Sequence, residues 1–104
     1  MFRKGRIMDI AGWREKIDAL DCRLVELLNQ RAQAAQEIGK LKRNTSMPIY
    51  EPAREKIIFE NVSKVNRGPL PDGDLHQIYE RIIDVMRKIQ KSEIVEESKP
   101  AEGH

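Results

Sequence analysis

From Ile10 to Leu41 apolar residues recur at steps of three and four, with no proline and only Gly12 and Gly39 interrupting. The pattern predicts one helix of more than thirty residues, N-capped by Asp9. At about 1.5 Å per residue it is roughly 45–50 Å long. In a chain of 104 residues such a helix outruns anything the remaining sequence can lay against it. So short a chain also has little core of its own to bury. The apolar stripe is therefore expected to run along a second copy of itself, in a coiled-coil-like dimer.

The rest of the chain is read as two further helices. Asn44, Thr45, Ser46 and Pro48 break the first by turn chemistry and loss of a backbone donor. Pro52 occupies the first position of a second helix, whose apolar residues are Ile57, Ile58, Val62 and Val65. That helix stops at Arg67-Gly68-Pro69. A third begins between Pro71 and Asp74, with Leu70 and Asp72 both open as its cap, and carries Leu75, Ile78, Ile82, Val85 and Ile89. Residues 1–8 read as a flexible leader, 9–91 as the folded domain, and 92–104 as a disordered acidic tail or linker. The expected fold is all-α, with a long, a short and a medium helix.

Charge and cysteine content narrow the partners. Nineteen basic against seventeen acidic residues leave a net charge of only +2, too little for a nucleic-acid or anionic-membrane surface. Residues 93–104 hold four glutamates against one lysine, a net −3, so the body is mildly cationic at +5 and suits a small anion. Cys22 is the single cysteine; it is expected as a small packing residue, and a reducing cytoplasm is the default compartment. No stretch approaches the ~20 apolar residues that span a bilayer.

Catalytic apparatus of the familiar kinds is missing. His76 and His104 are far apart in sequence, and there is no phosphate-binding glycine loop or nucleophile elbow, so no metal or cofactor is expected. What remains is a set of polar residues: Arg14, Arg31, Lys42, Glu51, Arg54, Glu55 and Gln90. Taken singly, Arg14 and Arg54 read as surface charges, Glu51 and Glu55 as complements to a helix dipole, and Gln90 as a solvated residue. Arg31 is different, because Leu24, Leu27 and Leu28 before it and Ala34, Ala35 and Ile38 after it fix its phase on the apolar stripe. Lys42, eleven residues on, shares that face. A guanidinium placed there calls for a carboxylate, from another side chain or from a ligand. Arg14 lies seventeen residues before Arg31, about 25 Å along a straight helix, so both can close on one small molecule only from different chains.

Three segments, WREKIDALDCRLVELLNQRAQAAQEIGKLK from Trp13, PIYEPAREKII from Pro48 and IIDVMRKIQ from Ile82, resemble the all-helical AroQ class of chorismate mutases over about residues 9–91. The resemblance implies an interlocked homodimer of three-helix chains with two shared active sites. It implies conversion of chorismate to prephenate by an intramolecular Claisen rearrangement, in aromatic amino-acid biosynthesis, without cofactor or covalent intermediate. By motif, Arg31 and the partner chain's Arg14 are implied to grip substrate carboxylates, and Lys42 a carboxylate and the ether oxygen. Gln90 is implied as the second ether-oxygen donor, Glu55 as acceptor of the ring hydroxyl, with Glu51 and Arg54 on the same wall. Met86 departs from the pattern: the family often has a small polar residue four positions before this glutamine, so either backbone and water make that substrate contact or ground-state binding is weaker, with the chemistry kept. An isochorismate pyruvate-lyase on the same scaffold, and a non-catalytic helical regulatory module, are the alternatives.

Overall fold

A computed structural model describes residues 9–98. They form three helices, α1 (Ile10–Lys42), α2 (Pro52–Val65) and α3 (Asp72–Ser98), and no strand is present among them. The chain divides into two compact units: residues 1–31, whose described part is the first portion of α1, and residues 32–104, which hold the end of α1 with α2 and α3.

The first unit is a helix with no core of its own. Asp9 caps it through Oδ1, which accepts the Gly12 N–H at 2.9 Å. Along it Trp13, Ile17, Leu20, Leu24 and Leu27 alternate in steps of four and three, a heptad seam, and each is between 51% and 56% exposed. By spacing the seam continues through Arg31, Ala34, Ile38 and Leu41. Completing the burial of five such side chains is worth roughly 1 kcal/mol each, a sum comparable with the net stability of a small domain, about 5–15 kcal/mol. Cys22 is exposed here rather than packed, because nothing in this unit covers the helix.

The second unit contains the core. Ala35, Ile83 and Met86 are its buried apolar side chains among the described residues, with Gly39 and Lys42 buried beside them on α1. The expected stripe of α3 is displaced: Ile82, Val85 and Ile89 are half-buried, Ile78 is exposed, and Ile83 and Met86 are the residues that reach the centre. The glycine at 39 admits α3 at close range. A Cβ built on Gly39 meets the Gln90 carbonyl oxygen at 2.8 Å and its Cα at 2.9 Å.

The connections follow local chemistry. Thr45 closes the end of α1 by bonding the Lys42 carbonyl through both N–H and hydroxyl. Pro52 opens α2 at its first turn. Asn66 ends that helix and organises the turn, accepting the Gly68 N–H on Oδ1 and donating from Nδ2 to Leu70 O and Asp72 Oδ1. Gly68 adopts φ +74°, a left-handed conformation that favours glycine. Asp72 begins α3, while the Pro71 carbonyl accepts the first helical bond from Leu75 N, so neither Leu70 nor Asp72 stands at the cap position. Phe59 of α2 stacks on His76 of α3 with ring centroids 3.9 Å apart.

The helical part of α3 reaches Ser98, which corrects the expected disordered tail over residues 92–98. No helix breaker intervenes before Pro100, and the Glu93 carbonyl is anchored by Arg43 Nη1 at 3.0 Å. The expected leader, residues 1–8, and the remaining tail, residues 99–104, lie outside the described residues. None of the described helices is long and apolar enough to cross a membrane.

Gly39→Ala is expected to lower stability by about 1–3 kcal/mol, because the new methyl meets backbone rather than a flexible side chain. Urea denaturation checks this, and an unchanged midpoint would contradict so close an approach of α1 and α3.

Candidate active site

The site grows from Lys42, at the C-terminal end of α1, where a cation complements the helix dipole. Its residue exposure is only 5%. A buried ammonium needs partners, and three converge on Nζ: Pro48 O at 2.8 Å, Gln90 Oε1 at 2.9 Å and Glu51 Oε2 at 2.6 Å. Two are hydrogen bonds, to Pro48 O and Gln90 Oε1, and the Glu51 carboxylate adds an ion pair.

Each partner is delivered by a local feature. Pro48 belongs to the loop that Thr45 turns back, its hydroxyl also accepting Met47 N–H at 3.1 Å. Glu51 stands at the N-cap position of α2 but makes no side-chain capping bond; its carboxylate goes to Lys42 instead. Gln90 is set by the close passage of α3 over Gly39, one turn before Lys42. Because Gln90 accepts through Oε1, its amide Nε2 remains a donor, with no protein acceptor on it among the described residues.

One turn along α2 from Glu51, Glu55 is the next acidic residue, with a side chain 17% exposed. Arg87 of α3 faces it, Nε lying 3.2 Å from Glu55 Oε2. The N–H is not aimed along a hydrogen bond, so Nε is buried without one, and the contact is an attraction of charges. The Arg87 guanidinium carbon also stands 5.2 Å from the centre of the Tyr50 ring, within cation–π range.

Of the residues singled out from the sequence, the second unit brings Lys42, Glu51 and Gln90 into direct contact and places Glu55 one turn from Glu51. Met86 lies one turn before Gln90, buried at 6% exposure. Arg54 is exposed on α2. Arg14, exposed, and Arg31, half-buried, belong to the first unit. Sequence reasoning missed Arg87, Tyr50 and the Pro48 carbonyl. For Arg87 a signal existed: it is three residues before Gln90, the same helix face, as Glu51 and Glu55 share one face of α2.

Among the described residues no three His, Cys, Asp or Glu side chains gather as a metal site requires. What the cluster offers is a nearly dry cation beside an amide donor and two carboxylates. The ammonium and the amide can stabilise negative charge developing on an oxygen, and a carboxylate can accept from a hydroxyl.

The whole arrangement has known counterparts. The family described as chorismate mutase type II matches residues 13–91, and the chain belongs to that family. A bifunctional chorismate mutase/prephenate dehydratase of Aquifex aeolicus is 37% identical over 75% of this chain and 23% of its own length. A chorismate mutase of Methanocaldococcus jannaschii is 28% identical, covering 86% of this chain and 92% of the relative. Among solved structures, a chorismate mutase of Helicobacter pylori in complex with prephenate superposes with a TM-score of 0.75 at 32% identity, covering 86% of this chain and 97% of that one. The chain spans between 20% and 23% of the length of four bifunctional relatives it matches.

Proposed function

We propose that the chain is a chorismate mutase that converts chorismate to prephenate by an intramolecular Claisen rearrangement. The observation that carries this reading is the buried Lys42 ammonium meeting the Gln90 amide, in a fold that matches a protein bound to prephenate. Of the two activities in the bifunctional relatives' name, only the first is proposed here.

In this rearrangement the ether C–O bond breaks as a C–C bond forms, and negative charge gathers on the ether oxygen. Atoms are conserved and no proton need move. The protein's task is to hold the reactive conformer and stabilise that charge where water is scarce. Lys42 donates to Pro48 O and Gln90 Oε1 and is paired with Glu51, so an incoming substrate oxygen takes the place of one of these partners. Gln90 can yield by turning its amide, presenting Nε2 to the ether oxygen alongside Lys42. Arg31 grips one carboxylate, with Arg14 of a second chain completing the anion site, since a guanidinium matches a carboxylate in bidentate fashion. Glu55 accepts from the ring hydroxyl, and Glu51 and Arg54 line the same wall. Met86 supplies packing rather than a polar contact.

The same reading makes the protein a homodimer in a reducing cytoplasm. The uncovered heptad seam of α1 supports it, because an identical seam is the simplest surface that matches it in length and chemistry.

Arg31→Ala and Lys42→Ala are each expected to lower kcat by about a hundredfold or more, with helical circular dichroism retained. Full mutase activity in either purified variant would exclude its residue from the site. Product analysis with chorismate and isochorismate separates this reading from a pyruvate-lyase, and inactivity toward both points to a non-catalytic module. Gln90→Glu is expected to work only under acidic conditions: the carboxyl group donates when protonated, so activity rises as pH falls through its pKa. A flat pH–rate profile for that variant removes Gln90 from the ether oxygen. Finally, Arg14→Ala and Lys42→Ala chains, each nearly inactive alone, are expected to recover activity when mixed and allowed to exchange subunits, because a mixed dimer keeps one intact site. No recovery despite demonstrated exchange would mean that sites are not shared between chains.

A further inference from the structure

Arg87 has no part in the reaction as described, yet it touches the residue assigned to the ring hydroxyl. We propose that Arg87 is a positioning residue: it holds one oxygen of Glu55, neutralises that carboxylate, and so turns the other oxygen into a fixed acceptor for the substrate hydroxyl. The proposal rests on the mutase reading above and deepens it.

The electrostatic need is evident from the substrate. Glu55 is an anion with a side chain only 17% exposed, in a site proposed to hold a dianion, and like charges at such range repel strongly where water is scarce. Arg87 places a permanent cation 3.2 Å from Oε2. It leaves Oε1 with no donor among the described residues, open to a hydroxyl.

The positional need is met by the far end of the same side chain. The guanidinium stands over the Tyr50 ring at 5.2 Å, so Arg87 is steadied by an aromatic face while its Nε reaches the carboxylate. The hydrogen bond at Nε is not made, although the atom is buried. A buried N–H without an acceptor is unfavourable, and a small turn of the Glu55 carboxylate toward a bound hydroxyl brings Oε2 into line with it. Substrate binding and the Arg87–Glu55 bond thereby reinforce each other.

A role as a mere staple between α2 and α3 predicts something different, and a double-mutant cycle separates the two. The steady-state kinetics of the wild-type chain, Arg87→Met, Glu55→Gln and the double variant are measured with chorismate. Methionine keeps the apolar stem and removes the charge. Arg87→Met is expected to lower kcat/KM roughly ten- to a hundredfold beside Glu55, but less than about twofold in the Glu55→Gln background, where no carboxylate remains to be held. Arg87→Lys, which keeps a cation, is expected to recover part of the loss beside Glu55 and none beside glutamine. Equal losses in both backgrounds, or no loss beside Glu55, overturn the proposal while leaving the mutase reading intact. A folded wild-type chain with no mutase activity overturns both, a result distinct from either.

Discussion

The burial of the Lys42 ammonium is the constraint on which the second unit depends. A charge taken out of water at the end of α1 is tolerable only if acceptors are brought to it, and the three that arrive come from separate segments: the loop at Pro48, the start of α2 at Glu51, and α3 at Gln90. One side chain thus ties the end of α1 to everything that follows. Glu51 shows how strong the demand is, because an N-cap residue normally bonds the exposed N–H groups of its own helix, and this one does not. The first turn of α2 gives up a cap so that the lysine can be neutralised.

The charges within that unit nearly cancel. Lys42 faces Glu51, and Arg87 faces Glu55. For the proposed dianionic substrate this has a consequence: the net positive charge it needs is absent from these two pairs, and Arg54, Arg14 and Arg31 are the residues proposed to supply it. Arg31 occupies a seam position in a run that otherwise reads Trp13, Ile17, Leu20, Leu24 and Leu27. A seam residue that is charged weakens a dimer of helices while specifying its register, so Arg31 makes sense where assembly and anion binding are the same event. The proposed sharing of Arg14 between chains follows from the same geometry, since one straight helix cannot bring residues 14 and 31 together.

Much of this was legible in the sequence, and the limits have physical causes. Helix periodicity, Asp9 as cap and Pro52 at the first turn act within a few residues of chain, and α1 and α2 begin where those signals place them, whereas α2 ends at Val65, ahead of the expected Arg67-Gly68-Pro69 stop. The end of α3 is hidden from the sequence because polar composition after Ser92 resembles a tail, whereas Arg43 anchors Glu93 across fifty residues of sequence. The same blindness to long-range contacts hid Arg87. Its phase on α3 was readable, but that Glu55 and the Tyr50 ring face it depends on how α2 meets α3. Only the family resemblance joins Lys42 to Gln90; spacing alone gives no reason to pair positions 42 and 90. The choice of Ile83 and Met86 as the centre of α3 likewise depends on tertiary packing rather than on the spacing of α3 alone.

The approach of α3 to the end of α1 is set by what α1 lacks. Ala35 and Gly39 are one turn apart, Gly39 and Lys42 nearly one more, so the small residues and the lysine lie along one face. At Gly39 the backbone of Gln90 comes so near that even a methyl group has no room. A larger residue would hold α3 away, and the gap would open first at the Gln90 side chain, whose oxygen must remain within hydrogen-bond reach of Lys42. A glycine inside a long helix is unfavourable by roughly 1 kcal/mol relative to alanine, so its presence here needs a compensating contact. The approach of α3 supplies one, and with it the distance at which a buried cation and an amide can act on the same oxygen.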